Sequence, residues 1–163
     1  MTAPTRRSAA REPVVRKPTA RDSAAQAPIP ASGEPEFRVT LPRIDDPEAF
    51  LEAVYRVVLA IPSGRVMSYG GVAAAMGTRA ARQVGAIMAR QGHDLPWWRV
   101  LRADGTLPVH LNEVALEHWE AEGTALRRLG RHPRPTKTAF VTRVETVFEE
   151  HPAADAKPPG AKA

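Results

Sequence analysis

The sequence contains no cysteine in its 163 residues. Disulfide bonds, thiolate metal sites and cysteine nucleophiles are therefore excluded for this chain. Long apolar runs are missing as well, since no stretch reaches the ~18 residues that indicate a transmembrane helix. The basic N-terminus has no hydrophobic segment behind it, unlike a secretory signal. From these absences we expect a cytoplasmic protein with no membrane partner.

Acidic residues are scarce in one region. Residues 61–102 carry six arginines and a single acidic residue, Asp94, a local charge of 6 − 1 = +5. The flanking segments 41–60 and 103–130 together carry four basic residues and nine acidic ones. A solvated face usually mixes its signs, whereas one strongly basic stretch indicates binding to a polyanion. The charge distribution therefore favours a nucleic-acid partner.

Large apolar residues are also few in residues 1–40, which are rich in alanine, proline and arginine. Such a composition cannot bury enough apolar surface to fold. We expect a disordered basic tail there, followed by one ordered domain over residues 41–130. Residues 131–163 then form a C-terminal extension with a disordered end.

Within that extension, apolar residues recur at helical spacing between residues 138 and 150. This pattern predicts a short amphipathic helix, which either docks on the domain or binds a partner.

The apolar pattern of the domain predicts four helices. The first begins at Pro47 with Asp46 as its N-cap, and the second covers residues 69–76 with Ser68 as its cap. The third covers residues 79–91, with Thr78 as N-cap and Gly92 just beyond its end, and the fourth covers residues 112–122.

Between the third and fourth helices, two short apolar runs flank Asp104 and Gly105, which is typical of a β-hairpin turn. A glycine turn between the second and third helices is typical of a helix-turn-helix, and a hairpin behind it would be a wing. The predicted fold is mainly α: a winged helix-turn-helix, with a three-helix DNA-binding bundle and a small β-hairpin wing, flanked by disordered tails.

The third helix presents two different faces. One is an apolar stripe that can face a core, formed by Val84, Ile87, Met88 and Gln91. The other has one arginine followed by residues with almost no side-chain bulk, namely Arg82, Gly85, Ala86 and Ala89. Such a face either packs tightly on a neighbouring helix or approaches another surface closely. An arginine without a partner is rarely buried, which favours the second interpretation.

Three motifs occur in a distinctive order: residues 61–70 (IPSGRVMSYG), 80–85 (AARQVG) and 96–100 (PWWRV). Together they resemble the DNA-binding domain of the O6-alkylguanine-DNA alkyltransferase family, over residues 47–123. In that family the third motif normally reads Pro-Cys-His-Arg-Val, where the cysteine accepts the alkyl group and the histidine activates it. Trp97 and Trp98 replace both residues here. The replacement resembles the alkyltransferase-like proteins, which bind alkylated guanine in DNA without repairing it and present it to nucleotide excision repair.

The resemblance implies roles for individual residues. Tyr69 matches the tyrosine that helps rotate the target nucleotide, and Arg82 matches the arginine finger that enters the base stack. A planar guanidinium can stack in the space that an extruded base leaves. The family places the third helix in the minor groove, which implies that the DNA-binding residues are Tyr69, Arg79, Arg82, Gly85, Ala86, Ala89 and Arg90.

The same resemblance implies a lesion pocket formed by Tyr69, Trp97, Trp98 and Arg99. The alternative is that Trp97 and Trp98 are both core residues, which is favoured for Trp98. Glu122 matches the glutamate of the family's proton network, and without the cysteine and histidine it is expected to keep only a structural role. The segment 107–112 does not match the family's pocket-closing loop.

The resemblance thus implies a monomeric, non-enzymatic protein whose partner is double-stranded DNA carrying alkylated guanine, with nucleotide excision repair proteins acting afterwards. Neither a cofactor nor a metal is expected, because the five histidines show no tight ligand spacing. Two alternatives stay open. One is a winged-helix transcription regulator, and the other is a generic DNA-binding protein without lesion specificity.

Overall fold

The computed structural model describes residues 33–128 and 130–150. The helices are α1 (Pro47–Ala60), α2 (Tyr69–Ala75), α3 (Ala81–Gln91) and α4 (Asn112–Ala121). The strands are β1 (Phe37–Leu41), β2 (Met67–Ser68), β3 (Val100–Leu101), β4 (Leu126–Arg127), β5 (Arg134–Pro135) and β6 (Val144–Phe148). Within the described ranges they form three two-stranded sheets, β1 with β6, β2 with β3, and β4 with β5. The fold is therefore rich in helix, as the sequence predicts.

The first two helices begin where their capping residues predict. Asp46 accepts a hydrogen bond from the backbone N–H of Ala49 at 2.8 Å, and Pro47 occupies the first helical position. Ser68 accepts one from the N–H of Gly71 at 2.9 Å. The inward stripe of α1 is fully buried at Val54, Val57 and Val58, so α1 forms the centre of the core.

The third helix begins two residues later than predicted. Its first residue is Ala81 and its N-cap position is Ala80, which offers no side-chain hydrogen bond. The hydroxyl of Thr78 instead accepts a hydrogen bond from the N–H of Ala80 at 3.1 Å, a local turn that competes with capping. Val84 and Met88 are buried as predicted, but Gln91 is exposed. The connection between α2 and α3 is therefore longer than a two-residue turn.

The predicted β-hairpin wing is wrong. Asp104 and Gly105 do form a tight turn, closed by the N–H of Arg102 donating to the carbonyl of Thr106 at 3.1 Å. The strand before this turn, β3, pairs in parallel with β2, with Met67 opposite Val100. Both residues of β3, Val100 and Leu101, are buried beside β2. After the turn, the chain continues to Leu107, which is also buried. The helical domain thus has a turn at this position and no antiparallel strand pair.

The predicted helix at residues 138–150 is also wrong. Residues 144–148 form strand β6, which runs parallel to β1 with Phe37 opposite Val144 and Leu41 opposite Phe148. The β-branched residues of this segment favour a strand, and their apolar spacing fits both kinds of element. Of the expected disordered tail at 1–40, residues 1–32 lie outside the described residues, as does 151–163, whereas Phe37–Leu41 is part of this sheet.

A buried ion pair joins the two terminal segments to the helical domain. The Arg65 guanidinium pairs with the Glu36 carboxylate, and the side chains are only 8% and 4% exposed. Arg65 also donates to the carbonyls of Thr138 and Phe140, and Glu36 accepts from the N–H of Thr142. Burial alone raises the pKa of Glu36, but the Thr142 N–H and the Arg65 charge outweigh it and hold that pKa below its usual value.

Arg65→Met should therefore destabilise the fold by about 3–5 kcal/mol, because it leaves the Glu36 carboxylate buried without a cation. The matched control is Arg38→Met, which removes an exposed arginine paired with Glu145 and should cost less than about 1 kcal/mol. Urea unfolding of both variants measures the difference. Equal losses would show that the Arg65 pair does not hold the terminal segments.

Candidate functional site

A cleft of about 330 Å³ opens between α3 and the segment that precedes α4. Its lining comes from the start of α2, from α3, from the turn after α3, from the third sequence motif and from residues 107–111. These residues are Tyr69, Gly85, Met88, Ala89, Gly92, His93, Trp97, Leu107, Pro108, His110 and Leu111. The walls are mostly apolar and aromatic, as is usual for a ligand site.

Tyr69 forms one side of the cleft at the first position of α2. Its ring lies beside Gly85, where a Cβ would sit 4.0 Å from the ring atom Cδ1 of Tyr69. Burial raises the pKa of the Tyr69 hydroxyl, and the charge of nearby Arg102 only partly opposes this effect. The hydroxyl is therefore a protonated hydrogen-bond donor at neutral pH.

Trp97 forms the floor between two parts of the core. It packs against the cluster built on α1 to α3 and also against the cluster around Trp119 and Leu101. Its ring meets Trp98 edge to face, with centroids 5.8 Å apart, and meets His118 in the same way at 6.1 Å. Aromatic contacts of this geometry hold a ring in one orientation. The cleft thus has a fixed indole where the resemblance places the acceptor cysteine.

Trp98 and Arg99, which the resemblance assigns to the lesion pocket, do not line this cleft. Residues 97–99 form a 3-10 turn, which turns successive side chains by about a third of a circle. The Trp98 ring stacks on His118, with centroids 3.7 Å apart and planes within 5°. Its carbonyl accepts a hydrogen bond from the indole N–H of Trp119 at 2.7 Å. Trp98 is therefore held by core contacts with α4.

Glu122 explains the direction of both side chains. Its carboxylate accepts hydrogen bonds from the Trp98 indole N–H at 2.9 Å, from the Arg99 guanidinium at 2.6 Å and from the backbone N–H of Gly64 at 3.1 Å. Arg99 additionally donates to the carbonyl of Ile61 at 2.7 Å. Burial raises the pKa of Glu122, but the hydrogen bonds from Arg99, Gly64 and Trp98 outweigh it and lower the pKa below its usual value.

Glu122→Gln should destabilise the protein by about 3 kcal/mol near neutral pH, because Arg99 loses its counter-charge in a largely buried site. A lowered pKa stabilises the fold above the unfolded-state pKa of about 4.3, and this contribution is lost as pH falls through the native value. Wild-type stability should therefore decrease below about pH 4.3 more steeply than that of Glu122→Gln.

Urea unfolding of the wild type and of Glu122→Gln, near neutral pH and below about pH 4.3, measures this difference in stability. The control is Glu120→Gln, two residues before Glu122, which removes an exposed carboxylate paired with Arg128. If Glu120→Gln and Glu122→Gln lower the free energy of unfolding equally, the Glu122–Arg99 ion pair does not stabilise the fold as described.

The basic stretch divides into two groups of arginines. Arg65 and Arg99 form internal ion pairs, so they do not belong to a DNA-binding surface. Within residues 33–128 and 130–150, the four others are exposed and form no ion pair: Arg79, Arg82, Arg90 and Arg102. An exposed cation without a counter-charge is free to bind a phosphate.

The small face of α3 is open. Arg82, Ala86 and Ala89 are exposed and Gly85 is partly exposed, while Val84 and Met88 on the opposite side are buried. The alternative that this face packs on a neighbouring helix is therefore wrong. The face ends at the cleft, because Gly85 and Ala89 belong to both.

Sequence reasoning missed the far wall of the cleft. Pro108, His110 and Leu111 line it, and the side chain of Val109 beside them is 74% exposed. His93 also lines the cleft. The sequence indicated only that residues 107–112 differ from the family's pocket-closing loop, and not that they line a cleft. Residues at a cleft rim carry no periodic pattern that would reveal them.

Residues 49–124 match the family model described as 6-O-methylguanine DNA methyltransferase, DNA binding domain. A DNA base-flipping protein of Escherichia coli (strain K12) is 40% identical over 79 residues, which cover 45% of this chain. The chain spans only 61% of that relative's length. A DNA base-flipping protein of Vibrio parahaemolyticus serotype O3:K6 (strain AQ3810) is 30% identical over 89 residues, which cover 52% of this chain and 89% of the relative.

Among solved structures, S. pombe Atl1 in complex with damaged DNA containing O6-carboxymethylguanine is similar in fold, with a TM-score of 0.52. It is 25% identical, and the match covers 60% of this chain and 98% of that one.

The chemistry at the cleft is limited by the residue at position 97 and by the absence of cysteine. Trp97 occupies the position of the family's acceptor, and with no cysteine the chain has no thiol to accept an alkyl group. No helix in the described part of the chain is long and apolar enough to cross a membrane. From the matched domain, the relatives and the tryptophan at position 97, we conclude that the chain belongs to the 6-O-methylguanine DNA methyltransferase family, as an alkyltransferase-like member.

Proposed function

We propose that this protein binds duplex DNA containing O6-alkylguanine, rotates the damaged nucleotide into the cleft beside Trp97 and holds it there unrepaired. The observation that carries this proposal is the continuity between the open face of α3 and the cleft, which share Gly85 and Ala89. A helix that lies against DNA with this face would present the cleft directly to a rotated base.

The cleft is suited to one nucleotide base with a small substituent. Its 330 Å³ lies near the lower end of the ~300–1,000 Å³ that is common for ligand sites. Trp97, Met88 and Leu111 offer apolar surface to a base and an alkyl group, and the Tyr69 hydroxyl offers a hydrogen-bond donor. Apolar walls with few polar groups would accept several alkyl substituents.

The α3 face is suited to the minor groove, which is only about 6 Å wide. Gly85, Ala86 and Ala89 add little bulk and permit close approach, while Arg79 and Arg90 can contact phosphates. Extruding a base costs a few kcal/mol of stacking and pairing. Arg82, exposed at the front of this face, would fill the gap and offset part of that cost.

The site holds the lesion without reacting with it. Trp98 stands where the family's histidine lies, and its indole N–H donates to Glu122. An indole nitrogen cannot accept a proton, so the residue at position 98 cannot act as a base toward a nucleophile. The damaged nucleotide would stay intact, and the stable complex would present it to nucleotide excision repair proteins. We propose that the protein acts as a monomer.

The relatives support this proposal over a transcription regulator. Two of them are named DNA base-flipping proteins, and the similar S. pombe structure contains damaged DNA. A regulator that binds palindromes needs a dimerisation element. The segment that could have supplied a helix for it, residues 138–150, instead contains β6, which pairs with β1 of its own chain.

Base extrusion tests this function. A fluorescent purine analogue is placed next to an O6-methylguanine in a duplex, and its emission is followed during titration with protein. Emission should rise on binding, because the neighbouring base leaves the stack. Saturable binding with no change in emission would contradict flipping.

A further inference from the structure

In the described part of the chain outside the matched family domain, positive charge is concentrated in a β-ribbon, which consists of β4, β5 and the described residues between them. Residues 125–137 contain five arginines and lysines and no acidic residue: Arg127, Arg128, Arg131, Arg134 and Lys137. All five are exposed. Only Arg128 forms an ion pair within the described residues, with Glu120.

We propose that this ribbon is a second DNA-contact element, which binds phosphates of the duplex beside the lesion cleft through Arg127, Arg131 and Arg134. The proposal rests on the proposed function, since it assumes that DNA lies against the α3 face. The ribbon proposal goes beyond that function, because it extends the DNA contact to residues outside the domain matched at 49–124.

The base of the ribbon is rigidly anchored. Its two strands pair at Leu126 with Pro135 and at Arg127 with Arg134, and the N–H of Thr136 donates to the carbonyl of Ala125 at 2.8 Å. Pro135 is buried, and Leu126 packs against the cluster around Trp119. The arginines therefore project from a fixed support, which reduces the ordering that binding requires.

The ribbon also lies next to the turn that contains Gly105. A Cβ at Gly105 would sit 3.4 Å from the Pro135 carbonyl oxygen and 3.9 Å from the Cβ of Arg134. The tight turn that contains Gly105 runs from Arg102 to Thr106, and the next residue, Leu107, lines the cleft. Contacts thus run from the cleft through this turn to the ribbon.

The ribbon's own charge arrangement indicates an anionic partner. Arg127 and Arg134 are directly opposite each other across the strand pair, and like charges at such positions destabilise a sheet. Asp104 is already bound by the Thr106 hydroxyl and N–H, which lower its pKa more than the nearby charge of Arg134 does. Phosphates of a duplex would relieve the repulsion, because they supply a line of negative charges.

The test compares two triple variants of the full chain with equal loss of charge. The ribbon variant is Arg127→Gln, Arg131→Gln and Arg134→Gln. The control variant is Arg38→Gln, Arg43→Gln and Arg143→Gln, none of which lines the cleft. Affinity for a duplex with one O6-methylguanine, and for the same duplex with guanine, is measured over a range of salt concentrations.

For the ribbon variant, the slope of log affinity against log salt should become shallower by about 1.8–2.7, which is ~0.9 for each of two or three lost phosphate contacts. The ratio of lesion to guanine affinity should stay the same, because phosphate contacts carry no base information. The melting temperature of the free ribbon variant should not decrease, since like-charge repulsion is removed. The control variant should keep the wild-type slope.

Equal slopes for the ribbon and control variants would overturn the ribbon assignment and leave the proposed function intact. A ribbon variant that loses lesion preference at an unchanged slope would also overturn it. If the wild type itself shows no lesion preference, the proposed function fails, and the slopes still decide whether the ribbon contacts DNA.

Discussion

Replacing Arg82 with alanine is expected to remove most of the preference for O6-alkylguanine over guanine while leaving the fold intact. Arg82 is exposed and lies on the side of α3 opposite the buried Val84 and Met88, so its loss creates no cavity. Without a guanidinium in the base stack, the cost of extrusion is no longer offset. A lost hydrogen bond to a charged group is worth about 1.5–3 kcal/mol, which weakens lesion binding roughly 10- to 150-fold.

Arg90→Ala is the matched control, because Arg90 is an exposed arginine of the same helix without an ion pair in the described residues. As a phosphate contact it should weaken binding to lesion and guanine duplexes equally, and the lesion ratio should survive. Titrations of both duplexes with both variants provide the comparison. A lesion ratio that Arg82→Ala leaves unchanged would remove the finger assignment.

Trp97→Cys alone is expected not to create an efficient alkyltransferase, although it restores the family's acceptor atom. A cysteine with an ordinary pKa near 8.5 is only about 3% thiolate at pH 7, and burial in this cleft would reduce that fraction. The next residue cannot help, because Trp98 offers only an N–H, which already donates to Glu122. The thiol would therefore be correctly placed but not activated.

Adding Trp98→His should change that result. A histidine at position 98 can donate one ring N–H to Glu122, as the indole does now, and this leaves the other nitrogen as a proton acceptor. General-base assistance of this kind contributes about 10²–10⁴-fold, so the double variant should transfer at least ~10²-fold faster than Trp97→Cys.

The measurement is single-turnover transfer of a radiolabelled methyl group from DNA to protein, with a binding titration as control for lesion recognition. A third variant, which adds Glu122→Gln, should lose most of the gain if the glutamate orients the histidine. Efficient transfer by Trp97→Cys alone would contradict this explanation of why the site is inert.

Local features of the sequence were sufficient to predict the helices. The α1 cap at Asp46 and the α2 cap at Ser68 act within three residues, so both could be recognised without knowing the rest of the fold. The two wrong elements depend on distant partners. β3 pairs with β2, and β6 pairs with β1 more than 100 residues away, so neither pairing leaves a local signal.

In the candidate site, too, some features could be predicted from local sequence and others depend on residues far away in the chain. The resemblance of the motif at residues 96–100 assigns Trp97 to a lesion pocket, and Trp97 lines the cleft of the structure. The directions of Trp98 and Arg99 depend on a 3-10 turn and on Glu122, which lies 24 and 23 residues away in the sequence. Counting charge along the chain could not show that Arg65 and Arg99 are internal, since burial depends on partners such as Glu36.

The most direct test of the central claim, recognition of the lesion without repair, is a competition experiment with labelled substrate. A duplex carrying a radiolabelled O6-methylguanine competes with excess guanine duplex for the unmodified protein, and the label is located after the complex is dissociated. The account predicts preferential capture of the lesion duplex, with all of the label recovered in DNA. Equal capture of both duplexes, or label on the protein, would contradict it.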